Sequence, residues 1–406
     1  LRLLAGAAGI SALGDFMAIF PLVLHVQHQT GSAFAVSALI FALWGPVVLA
    51  AGVAGAVVDR FENRGILIVV SLGQAAVVSA MLAGIDSLGA LLPLMMLLGF
   101  GVAVSQPAEF ALVPAAAGPD ADAARANGMM ETTRSIGFTA GPFVGGALAA
   151  AGLLWLALVL NAVSFVVVAA AALAIRARRR PDQGEEAQAS GRARDGFAFL
   201  VRERDMAITL GGAVAALAVF SISATAEPFF VTDSLRSGSL AYGVLLTSWT
   251  LGMAAGSAGL AHRVGRAQLA AGGLAAVVLQ GFGIAGAALS PVLWAALIGF
   301  AFGGAAHGVK NVLLRTLIHE RVPDALCGRA FAAYNGARNG AELGALVLGG
   351  IAVGALGARA ALLLAGLGPA AIGTASLLLL VNRRRRVAVA ITTSTEGRAL
   401  HARVQG

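Results

Sequence analysis

Three acidic residues, Asp15, Glu109 and Glu227, stand inside long apolar stretches. An ionisable group in the middle of such a stretch costs roughly 2.5–3.5 kcal/mol on insertion scales, so it faces a cavity or a partner. There a carboxyl group can load and release a proton or hold a polar substrate. Asp15 lies about twelve residues into the first stretch, about 18 Å along a helix, near the middle of a bilayer. It either serves coupling or substrate binding, or hydrogen-bonds a neighbouring helix. Glu227, just before Pro228, is either a second proton site or an interfacial carboxylate. His307, Lys310, Asn311 and Arg315 follow one another along one helical face. Lys310 is the single lysine among 28 basic residues. Its compact, titratable charge suits either a cavity or a cation that snorkels towards the cytoplasmic end. Ser105, Gln106 and Glu109 make a comparable stripe, and the spacing predicts a Glu109–Lys310 pair. Arg134 with Glu131, and Arg338 with Glu342, read as pairs that lower the cost of burying charge at gating interfaces.

Other chemistry finds little support. Gly281, Gly283 and Gly286 fit G-x-G-x-x-G, but within an apolar helix and with no acid until Glu320, so they form a packing ridge. No G-x4-GK[ST] sequence exists, which leaves ATP-driven transport unsupported. His25 and His28 lack further metal ligands, and the single Cys327 reads as a loop thiol that makes neither a disulfide nor a metal site. Nothing resembles a nucleophile–base–orienter set. The expectation is a protein that is not an enzyme and holds no cofactor or metal.

The elements that must position these residues are membrane helices. Hydrophobic residues make up 58% of the chain and charged residues 12%, with a mean hydropathy of +0.85, which excludes a soluble protein. The sequence supplies twelve stretches near the length a bilayer helix needs: 3–27, 33–58, 65–84, 89–113, 127–150, 152–175, 206–231, 240–262, 268–289, 291–317, 327–349 and 352–381. The first is too long for a signal peptide, and the start at Leu1 suggests a trimmed N-terminus. Arginines cluster in alternate loops: Arg60 and Arg64, Arg125, the run from Arg176 to Arg204, Arg263 and Arg266, Arg321 and Arg329, and Arg383 to Arg386. The intervening loops hold only Arg236 and Arg359, so both termini are expected in the cytoplasm. The net charge of +8 is therefore topological and does not point to nucleic acid. High arginine and alanine with one lysine point to a GC-rich bacterial source.

The chain also repeats itself at an offset near 204. Pro119, Asp120, Arg125, Ala126 and Arg134 recur as Pro323, Asp324, Arg329, Ala330 and Arg338. Gly52 and Gly55 recur as Gly256 and Gly259, Gly145 and Gly146 as Gly349 and Gly350, with Trp44 and Pro21 matching Trp249 and Pro228. The predicted organisation is a six-helix unit over 1–175, a polar linker over 176–205, a second unit over 206–381 and a tail over 382–406. Residues 197–204 read as a short amphipathic helix at the membrane surface.

Two motifs carry a resemblance. Gly128, Gly137, Gly141, Pro142, Gly145 and Gly146 fill every position of G-x8-G-x3-GP-x2-GG, with glycines near one helical face. This resembles the fifth-helix antiporter motif of the major facilitator superfamily. Gly55, Asp59, Arg60, Arg64 and Gly65 are similar to that family's loop motif after the second span, with Glu62 and Asn63 replacing the usual Gly-Arg. His262 and Arg263 fall in a degenerate second copy. Ser11, Gly14, Asp15 and Pro21, then Gly31, Pro107 and Pro114, look like the branch containing enterobactin and macrolide exporters.

The resemblance implies an all-α membrane protein of twelve transmembrane helices in two pseudo-twofold-related bundles. It implies that Gly55, Asp59, Arg60 and Arg64 latch the halves on the cytoplasmic side, and that the helix-five glycines seal the interface between halves. It also implies a monomeric exporter in the bacterial cytoplasmic membrane, moving small amphipathic or hydrophobic molecules (drug, antibiotic or siderophore-like) in exchange for protons, with Asp15 as proton carrier. Drug–proton antiporters of the superfamily carry an arginine on span four; span four here has none. The alternatives are a nutrient importer or uniporter of the same fold and, in another class, a receptor or scaffold without turnover.

Overall fold

Each apolar stretch forms one long helix, or one helix interrupted where its sequence interrupts it. The computed structural model describes residues 1–117, 123–175, 189–259 and 264–404, and every regular element among them is helical. Pro119, Asp120, residues 176–188 of the linker, His262 and Arg263 lie outside the described residues.

Helix α1 (Arg2–Thr30) stops at Gly31, whose φ of 60° turns the chain so that the Ser32 hydroxyl accepts from the Ala35 N–H and starts α2. Helix α2 runs Ala33–Leu49 and, after a 53° bend, Ala51–Arg60. Pro46, one turn before the bend, withholds the N–H that would have tied back to Ala42. Then come α3 (Asn63–Ala83), α4 (Leu88–Ala117), α5 (Ala123–Ala150) and α6 (Leu154–Ala174). A short helix, Ala189–Arg202, precedes α7, which runs Arg204–Phe220, breaks, and resumes as Ser223–Phe229 and a π turn, Phe230–Ser234. Helices α8 (Ser239–Gly259), α9 (Leu269–Leu289), α10 (Leu293–Arg321), α11 (Asp324–Leu356) and α12 (Ala358–Val404) complete the chain.

Among the described residues, nine of these helices are long and apolar enough to cross a bilayer, and bent α2 makes a tenth. Helices α5 and α8 have the length, 28 and 21 residues, but small and hydroxylated residues dilute their apolarity. These two pack on each other. The protein is thus an all-helical membrane protein with the expected twelve-helix plan.

Three expectations differ in detail. Helix α11 continues past 349 to Leu356, where Gly357 at φ 79° ends it. Helix α12 continues through the stretch expected as a tail, to Val404. The amphipathic linker helix starts at Ala189 and docks on the beginning of α11, with Gly196 against the Arg329 backbone and Asp195 3.5 Å from Arg329.

The repeat is visible as packing. Helix α1 lies on α5 as α7 lies on α11; α2 lies on α4 as α8 lies on α10; α3 lies on α6 as α9 lies on α12. Across the halves, α5 meets α8 and α11 meets α2. Repeat-equivalent glycines make both crossings: a Cβ on Gly146 would sit 2.9 Å from Gly243 Cα, and one on Gly350 would sit 2.9 Å from the Ser37 hydroxyl. This corrects the sealing role expected of the glycine ladder. Gly137, Gly141 and Gly145 press on α1 within their own half, against Gly9, Phe16 and Met17, while Gly146 and the Pro142 carbonyl meet Gly243 of the other half.

The contacts between halves gather at one face. Gln27 donates to Thr232 at 2.6 Å, and Ser37 and Thr225 share a hydrogen bond of 2.9 Å. At the opposite, arginine-rich face, Gly55, Gly128, Gly336 and Gly340 have nothing within 4 Å of an added Cβ. A cavity of about 810 Å³, bordered by Asp59, Phe110, Arg315 and Asn335, opens there. Overfilling the closed seam by Gly146→Leu or Gly243→Leu should cost about 1–3 kcal/mol and lower the unfolding temperature in detergent. Gly128→Leu should leave it unchanged, and equal effects at all three positions would mean that the seam is not closed.

Candidate functional site

The proline-interrupted helix α4, the glycine-flattened pair α1 and α5, and the broken helix α7 converge on a central chamber. Its deepest part is a cavity of about 40 Å³ bordered by Asp15, Ser71, Gln74, Gln106, Glu109 and Arg134. Arg134 Nη1 donates to Glu109 Oε2 at 2.9 Å, with side chains only 13% and 9% exposed. The guanidinium also lies 5.6 Å from the Phe110 ring centre and 5.7 Å from that of Phe138. Asp15, on α1, interacts with the same Arg134 and with the Asn161 side chain of α6. Gln74, 3% exposed, points an unpartnered amide nitrogen from this lining, and the space is enough for ordered water to bridge it to the carboxylates. Glu109 pairs directly with the guanidinium, and Asp15 lies within its electrostatic reach. Fully ionised, the cluster carries one net negative charge; one added proton makes it neutral.

Asp15 also borders a larger, mostly apolar chamber of about 220 Å³, walled by Phe16, Phe20, Trp44, Phe138 and Tyr242. Glu109 borders only the small polar cavity. Asp15 and Arg134 thus belong to the wall between the two spaces. A third space of about 530 Å³ adjoins on the α7–α11 side, lined by Phe220, Trp249, Arg338, Asn339 and Glu342. Arg338 donates to Glu342 at 3.2 Å, the expected pair, half-exposed to this space. Glu227, 8% exposed, borders both the second and third spaces and is a buried cavity carboxylate, not an interfacial one.

Other expected residues are arranged differently. Glu109 does not pair with Lys310. Lys310, 4% exposed, donates to Gln280 of α9 at 3.2 Å and lies 3.1 Å from His307 Nδ1. His307 in turn rests on Trp249, with ring centres 5.3 Å apart, so this cluster sits behind the chamber wall. Asn311 is half-buried on the next turn, while Arg315 reaches the open mouth. Glu131 is exposed and Arg134 turns instead to Glu109, because the guanidinium enters the bundle while the preceding turn faces outward. Arg64 does not latch the halves: it donates to Ala172 O and Leu173 O at 2.9 and 2.7 Å, satisfying the carbonyl end of α6. Asp59 and Arg60 are exposed at the open face, with Gly55 unpacked beside them. Among the described residues no group of three potential metal ligands occurs.

Several chamber residues escaped the sequence reading. Asn161, Gln74 and Gln280 are single amides in otherwise apolar helices, and that isolation was the available signal. Trp44 and Trp249 were visible as a repeat pair; their shared position on the cavity wall was not.

The Major Facilitator Superfamily model matches residues 4–344. Among solved structures, the chain is similar to the nucleoside transporter NupG, at 14% identity and TM-score 0.74, covering 93% of this chain and 98% of that one. It is similar to a bacterial homologue of the iron transporter ferroportin in an inward-facing state, at 13% identity and TM-score 0.67, covering 93% and 98%. It is also similar to the human organic anion transporter MFSD10, at 17% identity and TM-score 0.61, covering 93% and 99%. A comparison with curated proteins finds no significant match.

Arg134→Leu strands the buried Glu109 carboxylate beside Asp15 and should cost about 3–5 kcal/mol, measured by unfolding in detergent. Adding Asp15→Asn and Glu109→Gln should recover much of that loss. A triple variant no more stable than Arg134→Leu would contradict the shared-guanidinium cluster.

Proposed function

Because the chain belongs to the major facilitator superfamily of multi-pass membrane transporters, we propose that it is a secondary exporter. It moves small amphipathic or hydrophobic molecules out of the cytoplasm in exchange for protons, and neither an enzymatic step nor a cofactor takes part. The observation that carries this reading is the position of Asp15 between the polar Asp15–Glu109–Arg134 cavity and the apolar chamber. A cargo in the chamber touches the same carboxylate that a proton would neutralise, so the two ligands are linked through one group. The outward direction rests on the glycine motif of α5, filled at Gly128, Gly137, Gly141, Pro142, Gly145 and Gly146. The resemblance of the α1 and α4 motifs to enterobactin and macrolide exporters favours drug, antibiotic or siderophore-like cargo over a nutrient.

In this reading the arginine-rich face is cytoplasmic, and the conformation is open to the cytoplasm. Cargo enters between α2, α4, α10 and α11, and displaces the proton from the cluster. The halves then rock about the chamber, opening the Gly146–Gly243 and Ser37–Thr225 contacts and closing the arginine-rich mouth. Gly55, Asp59 and Arg60, free in this state, are the residues available to close it. For an uncharged cargo, a proton returning down a 100 mV potential contributes about 2.3 kcal/mol per charge, enough for about fiftyfold accumulation per proton transferred. The units 1–175 and 206–381 act as the two rocking bodies, in a monomer within the bacterial cytoplasmic membrane.

In inside-out vesicles with a proton-sensing dye, cargo should release an imposed proton gradient in the wild type and not in Asp15→Asn. Gradient release undiminished in Asp15→Asn would remove Asp15 from coupling, and cargo uptake with no proton movement would favour a uniporter. For the orientation, a membrane-impermeant maleimide should label Cys327 in inverted vesicles and leave it unlabelled in intact cells. The opposite pattern would reverse the topology.

A further inference from the structure

Glu227 differs from the other carboxylates that lie within the helical bundle. Glu109 is bonded to Arg134, Glu342 to Arg338, Asp205 to Arg383 and Arg384, and Asp15 lies in the field of Arg134. Glu227 is 8% exposed, its side chain lies beside Ser223 on its own turn and near Tyr242, and no basic side chain among the described residues forms an ion pair with it. It is also the acidic residue common to the two large spaces of the chamber. It sits where α7 is broken, so the irregular backbone lines the cavity and does not face lipid.

Around it the walls are aromatic. Phe20 and Tyr242 meet edge to face with centres 5.8 Å apart; Phe220 and Trp249 stack at 5.2 Å; Trp44 is 42% exposed into the space between them. Both chamber arginines are already bound by carboxylates. The site therefore offers one unneutralised carboxylate inside a ring of π faces. An anion would meet that carboxylate with no free guanidinium to receive it. A neutral molecule would gain nothing from the carboxylate, which would then have to be held protonated. A cation with aromatic or alkyl substituents satisfies the carboxylate and gains cation–π contacts together.

We propose that Glu227 is the counter-ion of the cargo site and that the cargo class is the lipophilic organic cation. This rests on the export reading and narrows it. Tetraphenylphosphonium and tetraphenylborate share a shape and differ in the sign of their charge. Equilibrium binding of each to the purified protein in nanodiscs, without a proton gradient, tests the assignment. The wild type should hold the phosphonium at least ~tenfold tighter than the borate. Glu227→Gln should weaken phosphonium binding by about tenfold while leaving the borate nearly unchanged, and Glu227→Asp, which keeps the charge, should retain the preference. Equal or tighter binding of the borate by the wild type, or phosphonium binding undiminished in Glu227→Gln, would overturn the proposal. Because this binding needs no turnover, selective binding alongside failed proton exchange in vesicles would sink antiport and leave the cation site standing. Proton exchange driven by an uncharged cargo in a protein without phosphonium preference would do the reverse.

Discussion

One guanidinium, bonded to Glu109 and with Asp15 within its field, organises the chamber. Arg134 must leave the lipid-facing side of α5 to reach Glu109 on α4, and Asp15 must come close enough from α1 to share its charge. The second requirement is met by absent side chains. Gly137 and Gly141 let α1 lie so near α5 that a Cβ at either would strike Gly9, Leu13 or Phe16, the residues just before and after Asp15. In a bilayer, where apolar contact with lipid is as good as contact with a helix, close approach of small residues is what holds two helices together. The glycine motif thus acts locally, as the support that places a carboxylate beside its arginine. Where the family's drug–proton antiporters carry an arginine on span four, here Arg134 of α5 brings its cation to Glu109 of that span.

The second consequence concerns how the halves move. Gly146 and Gly350 are repeat equivalents, and each lies at a close crossing between halves on its own side of the pseudo-twofold axis. Both crossings lie at the face where Gln27 and Thr232, and Ser37 and Thr225, are bonded. Gly55, Gly128, Gly336 and Gly340 towards the other face meet nothing. A seam made of small residues and a few hydroxyl bonds is firm but shallow, which suits an interface that must open and reform. Ion pairs inside each half stay intact during such a movement, since Arg134–Glu109 and Arg338–Glu342 each join residues of one half.

The fold was legible because lipid imposes length and apolarity on every helix, and because the second half copies the first at a constant offset. Where helices were expected to end was less legible: Gly357, not the end of the apolar run, divides α11 from α12. Pairing was the least legible. Arg338 and Glu342 lie on one helix, and their spacing alone announced the pair. Glu109 and Arg134 come from different helices, so their meeting depends on rotations that no single helical face encodes. Glu131 lay nearer in sequence and drew the assignment to itself. Lys310 was read as facing the cavity because a lone lysine in an arginine-rich chain stands out, yet its partner, Gln280, lies behind the wall on α9. Arg64 looked like a latch from its motif, but it closes the exposed carbonyls of α6.

The central claim is that the Asp15–Arg134–Glu109 cluster exchanges one proton when cargo binds. Infrared difference spectroscopy of the protein in lipid, recorded on adding cargo, reads this directly. The account predicts loss of one protonated-carboxyl stretch with gain of a carboxylate band, and the disappearance of that change in Asp15→Asn. Cargo binding with no carboxyl signal, or a signal unchanged in that variant, would contradict it.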